Sequence, residues 1–521
     1  MGDPLEDYLR VLQITGRASP GSFTVRPFAL YRAVDGIDGT GHPWSGRFGD
    51  AVPRQGGAVA GAAGSGPDAR PRLTRASARF RTFLNTGYPA GQNDGAVWQG
   101  KGVTGALDVA LAGRWRGLSV TVAPTFLYAQ NSGFELGPVG VAGMPEYAYP
   151  WRRIDYPQRF GPDALWSADP GQSEVRLDFR GATLGFGTRN LWWGPGIRNA
   201  IVMSNNAPGF PHAFLGTATP VDIGIGAIEA EWIWGRLAQS DWFDPAVTDT
   251  KRFLTGAVLA YSPDFLTGLS LGVTRAFVAY VPDGGVPLGD YFLVFQGATK
   301  SGLVSPEMPD GTDETNQLLS LFGRWILPES GFEVYFEWAR NDHAWDLTDL
   351  VLEPAHSQAY TLGLQKVEEL SGGRLLAFRT ELTHLDAGPP SQVRGTGTYY
   401  EHGVVAQGYT NEGQIIGAAV GPGGNAQYLG ADLYAPWGRA GAFVQRRVHD
   451  NDAYYDWAIA NGRDFCCHHV SLSTGVSALL FVDDFDVGAG FAFNRDLNRY
   501  FAGPNLSNVT ISLSAAWRRR P

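Results

Sequence analysis

Cysteine is nearly absent from this chain. Cys466 and Cys467 are the only two in 521 residues, and neighbouring cysteines rarely bond to each other, so no disulfide framework holds the fold. The run Cys466-Cys-His-His469 reads as a loop leading into a strand, because its spacing fits no usual zinc pattern. No metal and no cofactor is expected. Lysine is almost as scarce, confined to Lys101, Lys251, Lys300 and Lys366. The formal net charge is −10 at pH 7, and no basic patch or Arg/aromatic module stands out, which excludes a nucleic-acid partner. Charged residues make up 18%, below the usual quarter or so of soluble domains. No run approaches the 18 or so apolar residues of a membrane-spanning helix. A fixed-period repeat is also missing, which argues against a β-propeller or β-helix. No charged and apolar leader follows Met1, so a secreted protein would be present here in mature form.

What remains is glycine, aromatic residues and strands. Glycine contributes 69 residues and aromatics 12%. The first dozen residues predict a short helix: Asp3 can cap it, Pro4 suits its first position, and Leu5, Leu9 and Leu12 share a face. Gly16 is a plausible stop. Residues 49–70, rich in Gly, Ala and Pro, read as a loose linker. The chain thus divides into residues 1–70, a helical and linker segment serving as a periplasmic element or plug, and residues 71–521.

From Leu73 the apolar period becomes two. Phe80, Thr82 and Leu84 alternate with Arg79 and Arg81, and Val103 to Leu111 turns at 113–117 into Leu118 to Tyr128. The unit recurs at Phe253–Val278, Leu318–Arg340, Tyr428–Val448 and Val470–Phe493, and Val509–Trp517 closes the chain. Tight turns alternate with long connections at 129–173, 279–317, 341–358 and 449–468. A soluble sandwich has no reason for that rhythm; an outer-membrane barrel has short periplasmic turns and long extracellular loops. The hairpins add up to roughly 16 to 18 strands, the porin size class. Trp517 suits the membrane interface, with Arg518 to Arg520 trailing into water. The expected fold is all-β: a transmembrane antiparallel barrel with a small N-terminal helical element, in the outer membrane of a Gram-negative bacterium.

One segment breaks the pattern. Trp192 to Leu215 packs two tryptophans, a Gly-Pro-Gly turn, paired asparagines and two further prolines between strand-like sequences, and proline cannot serve a sheet ladder. The run Leu191–Asn206 (LWWGPGIRNAIVMSNN) and its continuation Ala207-Pro-Gly-Phe-Pro211 resemble the capsule assembly protein family Wzi. Leu12-Gln-Ile-Thr-Gly16 with Thr24-Val-Arg-Pro27, and Tyr399-Tyr-Glu-His-Gly403 with Gln407-Gly-Tyr-Thr410 and Ile416-Gly417, are similar to it as well. The landmarks fall near the start, middle and end of the chain, in order. The resemblance implies a barrel of 18 strands with a periplasmic helical element, and a lectin that attaches or orders capsular polysaccharide or exopolysaccharide. It also implies that the barrel itself is not the export channel.

Trp192 and Trp193 could stack on sugar C–H faces while Arg198, Asn199, Asn205, Asn206 and His212 read hydroxyls. The competing reading makes the same residues a brace inside the lumen, since backbone that leaves the ladder needs internal partners. Tyr399, Tyr400, Glu401 and His402 form a second aromatic-polar cluster. A third, Tyr147, Tyr149, Trp151, Tyr156 and Trp166 with Arg152, Arg153, Asp155, Arg159 and Asp163, lies in the longest loop and suits either an extracellular surface or a loop tucked into the mouth. Glu229 and Glu231, two residues apart on one strand, should face the same side. Lumen-facing carboxylates are ordinary in barrels, and neither a serine-hydrolase elbow nor a clear His/Ser/acid set appears, so no catalytic residue is assigned. The expected function is a non-enzymatic outer-membrane lectin; a porin-like or polysaccharide-export channel is the alternative. The expected partners are the polysaccharide, outer-membrane lipid and the export machinery.

Overall fold

The computed structural model of the chain describes residues 4–18, 21–27, 44, 71–248, 250–297, 315–341, 346–388, 391, 395–456, 467–501 and 503–518. Asp3, residues 49–70, Cys466, Arg519 and Arg520 lie outside them. Apart from two short ladders, Val25–Arg26 with Trp192–Trp193 and Thr410–Asn411 with Gln414–Ile415, the described strands close into a single antiparallel barrel of 18 staves. Arg72–Asn85 pairs on one side with Gly102–Trp115 and on the other with Leu506–Arg518, so the last stave seals against the first. Among the described residues no helix is long and apolar enough to cross a membrane.

Alternation of side chains decides which face meets lipid. On Leu506–Arg518, Ile511, Leu513 and Trp517 are exposed while Asn508 and Ala516 are buried. On Phe485–Leu497, Val487, Phe491 and Phe493 point out; on Val470–Val482, Leu472, Val476, Leu480 and Val482 do the same. Soluble proteins rarely expose contiguous apolar patches beyond a few hundred Å². This band runs around the barrel, and only a bilayer satisfies it. Both ends of the described barrel, Arg72 and Arg518, sit at the side of the tight turns, which is therefore periplasmic.

The hairpins read from the two-residue period are present: Arg252–Pro263 with Leu269–Tyr280, Asn316–Leu327 with Phe332–Asn341, Asn425–Ala435 with Gly438–Val448, and Val470–Val482 with Phe485–Leu497. Three expectations are corrected. The connection drawn as 129–173 contains the strand Leu165–Asp169, and Trp166, assigned to that loop, pairs with Tyr128 on the outer face. An aromatic near the end of a stave belongs to the interfacial girdle, and a short strand behind a Pro/Gly-rich loop shows little periodicity. His212 to Leu215, placed in the irregular segment, belong to the stave His212–Thr217. The hairpin of Gln358–Leu370 and Arg374–His384 was not anticipated. Its periplasmic end carries Lys366, Glu368 and Glu369, where outward positions have left the apolar band.

Eighteen staves enclose a lumen wide enough for an aqueous channel. Here it contains protein. The helix Pro4–Ile14, followed by Gly16 at φ 70°, buries Tyr8, Leu9, Val11, Leu12 and Ile14 against Ile326, Val367, Leu375 and Tyr434 near the periplasmic turns. Above it, residues from 191–210 and 399–420 form one apolar cluster with inward side chains such as Leu254, Val258, Ala276, Leu318 and Ala339.

Candidate functional site

Three chain segments meet inside the barrel, and carboxylates on the wall tie them down. Glu333 lies between two guanidiniums. Arg10 of the helix donates Nε to it at 3.0 Å, and Arg324 of the neighbouring stave donates Nε at 2.9 Å and Nη2 at 2.6 Å. Arg10 also reaches the Pro195 carbonyl at 2.7 Å, so the helix and the Trp-rich segment share one anchor. Charge-assisted bonds of this kind are about twice as strong as neutral ones. Removing one partner would leave an unpaired buried charge.

The Trp-rich segment borrows a ladder from the N-terminus. Val25 and Arg26 pair antiparallel with Trp193 and Trp192, and the Gly194 amide donates to the Thr24 carbonyl at 2.8 Å. Trp192 donates Nε1 to the Gly196 carbonyl at 3.1 Å, with Arg26 stacked on its ring at 4.9 Å. Trp193 is wholly buried and donates to Glu231 at 3.3 Å. The tight Gly-Pro-Gly turn then presents successive amides to Glu381: those of Ile197, Arg198 and Asn199 donate at 2.7, 3.2 and 2.8 Å. Tyr335 donates its hydroxyl to the same carboxylate at 2.7 Å. Its ring gets there by lying across Gly363, where an added Cβ would fall 1.9 Å from a ring carbon. On the same stave as Tyr335, Glu337 accepts from the Ile201 amide at 3.1 Å.

The remaining singled-out residues belong to the same packing. Arg198 reaches Gln92 at 3.0 Å and stacks on Tyr428. The Asn199 side chain accepts from the Val420 amide at 3.3 Å. Asn205 and Asn206 donate to the carbonyls of Asn93 and Ile415 at 2.8 and 2.9 Å. His212 is buried, its Nδ1 2.8 Å from the Phe210 carbonyl. Tyr400 is buried and bridges two loops, donating to the Ile201 carbonyl and accepting from the Ala418 amide, both at 2.7 Å. Tyr399 packs edge-on against it. His402 accepts from the amides of Val404 and Val405, closing a turn at the outer surface.

Glu229 and Glu231 do share the inner face. Glu229 holds Ser22, and Glu231 pairs with Arg189, so both carboxylates face the plug. Sequence reasoning missed Arg10, Arg189, Arg324, Glu333, Glu337 and Glu381. The available signal was the two-residue period, which puts Glu333 and Glu337 on the polar side of one stave.

The long loop at 130–164 folds across the extracellular mouth. Arg152 contacts Glu401 at 3.2 Å, Asp450 at 3.3 Å and Asp456 at 2.8 Å, joining three connections. Tyr149 donates to Asp450 at 2.9 Å, and Arg153 pairs with Asp244 at 2.7 Å. Burial pushes the Asp155 and Glu401 carboxyls above the ordinary carboxylate range. Asp452, buried beside Asp450, is pushed up to about 7. Tyr147 meets Trp242 edge-on, and Tyr455 is 45% exposed. At the rim His469 of the Cys-Cys-His-His run comes together with His449 and Asp496, the one potential metal-ligand group among the described residues. Arg499, Ser471 and Tyr88 already engage that carboxylate, so its charge is met by a guanidinium.

A model of the capsule assembly protein Wzi family matches residues 84–434. This chain belongs to the Wzi family. The solved structure of Wzi from Escherichia coli, an outer-membrane protein involved in group 1 capsule assembly and described as a carbohydrate-binding β-barrel, aligns with a TM-score of 0.64 at 14% identity. That alignment covers 99% of this chain and 97% of that one. OccK5 (OpdH) of Pseudomonas aeruginosa aligns at 8% identity and TM-score 0.40 over 85% and 98% of the two chains. OprB of Pseudomonas putida aligns at 12% and 0.39 over 87% and 95%. No curated protein matches by sequence. Family, closed barrel and lipid-facing band together place the chain in the outer membrane.

Proposed function

We propose that this chain is a non-enzymatic, carbohydrate-binding barrel that retains or organises capsular polysaccharide or exopolysaccharide at the cell surface. The observation that carries the reading is the occupied lumen. A Wzi-family barrel whose interior is tied to its wall at Glu231, Glu333, Glu337 and Glu381 is a scaffold for its extracellular face. The buried positions of Trp192, Trp193, Asn199, His212, Tyr399 and Tyr400 support a bracing role. Sugar contact then falls to the cap built by 130–164 and 449–456, where aromatic and charged groups such as Tyr455 and Arg153 reach solvent. The machinery that exports the polysaccharide is the partner that would deliver it.

Deleting the gene should shift polysaccharide from the cell-associated to the released fraction, and a plasmid copy should restore it. Unchanged retention in the deletion strain would refute the proposal.

A further inference from the structure

The connection after the stave Leu269–Tyr280 leaves the barrel at its extracellular end. Its 3-10 helix Leu288–Phe295 turns back down the outside of the barrel. The side chains it covers are outward-facing: Glu231 and Ile233 point into the lumen, so Trp232 and Trp234, which alternate with them, point away from it. Trp232 packs edge-on against Phe292 and Phe295 at 5.4 and 5.1 Å, and Phe253 meets Tyr291 at 5.1 Å. Thr255 and Phe277, on outward positions of adjacent staves, are wholly buried beneath it.

Polar contacts fix the segment at depth. Trp234 donates Nε1 to the Tyr291 carbonyl at 2.9 Å. Arg275, outward-facing two residues before Phe277, donates to the carbonyls of Val294 at 3.3 Å, Gln296, and Gly297 at 3.0 Å. Trp234, Thr255 and Phe277 lie side by side in the register, each three residues inside its stave's extracellular end. Three residues are roughly 10 Å along a strand, below the rim and within reach of acyl chains. A lipid-facing arginine is costly there, as is a free carbonyl; each here satisfies the other.

The far side of the segment is apolar. Leu288 is 79% exposed, Phe292 51% and Phe295 70%. On the staves beneath and beside it, Leu259, Leu271 and Leu321 are exposed in the same outward direction. We infer that residues 288–297 form a lipid-embedded collar: they replace the first layer of lipid over three staves and insert Leu288, Phe292 and Phe295 among outer-leaflet acyl chains. The occupant is lipid because this face continues the band that the bilayer already covers. The collar fixes residues 288–297 at the membrane surface.

The test uses the full chain with Cys466→Ser and Cys467→Ser, refolded into phosphatidylcholine vesicles, and a bimane label at Phe295→Cys. Leu288→Cys is the second position, and Gly284→Cys, which is exposed with nothing near it, is the control. Heat-modifiable gel mobility verifies the fold of each variant. Labels at 295 and 288 should emit at shorter wavelength than at 284. A nitroxide on the acyl chain should quench them more than one on the headgroup, and aqueous iodide should reach only position 284. Iodide quenching at 295 and 288 equal to that at 284 would overturn the inference. So would cross-linking between copies through position 295 with no response to acyl nitroxide, which would assign the face to a second copy.

Discussion

At the scale of single residues, the structure separates groups that hold the barrel's interior from groups that meet solvent. Trp192 and Trp193 are 5% and 0% exposed and each spends its indole N–H on a partner inside the barrel. Truncating a buried Trp to Ala costs roughly 3–5 kcal/mol. The double variant Trp192→Ala/Trp193→Ala should therefore lower the temperature of the heat-modifiability shift, and any loss of polysaccharide retention should accompany that loss of stability. Lost retention at unchanged heat stability would assign the pair to sugar contact instead. Tyr455→Ala, at an exposed position, should leave the shift within about 0.5 kcal/mol of wild type. Asp452 offers a pH readout in the cap. It accepts from the Ala387 amide at 2.7 Å and the Thr398 hydroxyl at 3.1 Å, while burial first and Asp450 second push its carboxyl up to about 7. A carboxyl raised in the folded state binds its proton more tightly there than when unfolded. Its stabilisation is full below the ordinary carboxylate range and is lost as pH rises through about 7. The Ala387 amide should exchange with deuterium faster, relative to intrinsic rates, at about pH 8 than at about pH 5, and Asp452→Asn should flatten the difference.

At the scale of elements, the wall glutamates are the joints between barrel and plug. Glu381 accepts three consecutive backbone amides and a tyrosine hydroxyl, so the turn after Trp193 is held as an anion would be held in a nest of N–H groups. In Glu381→Gln one oxygen becomes a donor facing other donors. Each buried group left unsatisfied costs about 1–3 kcal/mol. The staves are held by their own ladders, so the expected result is a folded barrel with a loosened segment. Limited proteolysis within 194–206 should quicken while the barrel keeps its heat-modifiable mobility; equal protection in variant and wild type would contradict this. The same contrast explains what was legible beforehand. Hairpins such as Arg252–Pro263 with Leu269–Tyr280 announce themselves because lipid on one face and packed lumen on the other impose a two-residue period. Trp192-Trp193 did not reveal its ladder partner, since Val25-Arg26 lies far away in sequence and two residues carry no period. The collar at 288–297 was equally hidden: its apolar residues read as part of a loop, and the outer wall that explains them comes from other staves. Trp192, Tyr400 and their neighbours could be picked out by composition, but whether they face sugar or the lumen depends on contacts made by distant segments.

At the scale of the whole molecule, diameter and content pull in opposite directions. A barrel of 18 staves could pass solutes. Between its ends, however, the helix Pro4–Ile14, the Val25–Trp193 ladder and the Tyr400–Tyr409 region lie in succession against the wall. Beyond the Arg10–Pro195 contact that the helix shares with the Trp-rich turn, each has a joint of its own: Glu333 for the helix, Glu381 and Glu337 for the turn, and Arg152 with Glu401 for the Tyr400 region. Losing one joint leaves the other obstructions standing, so conductance should respond cooperatively. In planar bilayers the wild-type protein should show little steady current, and Glu381→Gln alone only brief openings. Combining Glu381→Gln with Glu333→Gln, which strips the carboxylate from both Arg10 and Arg324, should give long-lived openings more frequent than the sum of the single variants. Steady porin-like current in the wild type would return the channel reading to first place. Additive behaviour would mean that the two anchors govern separate paths. The cooperative outcome fits a barrel whose interior is built to stay closed, and would support the proposal that polysaccharide is met on the extracellular face.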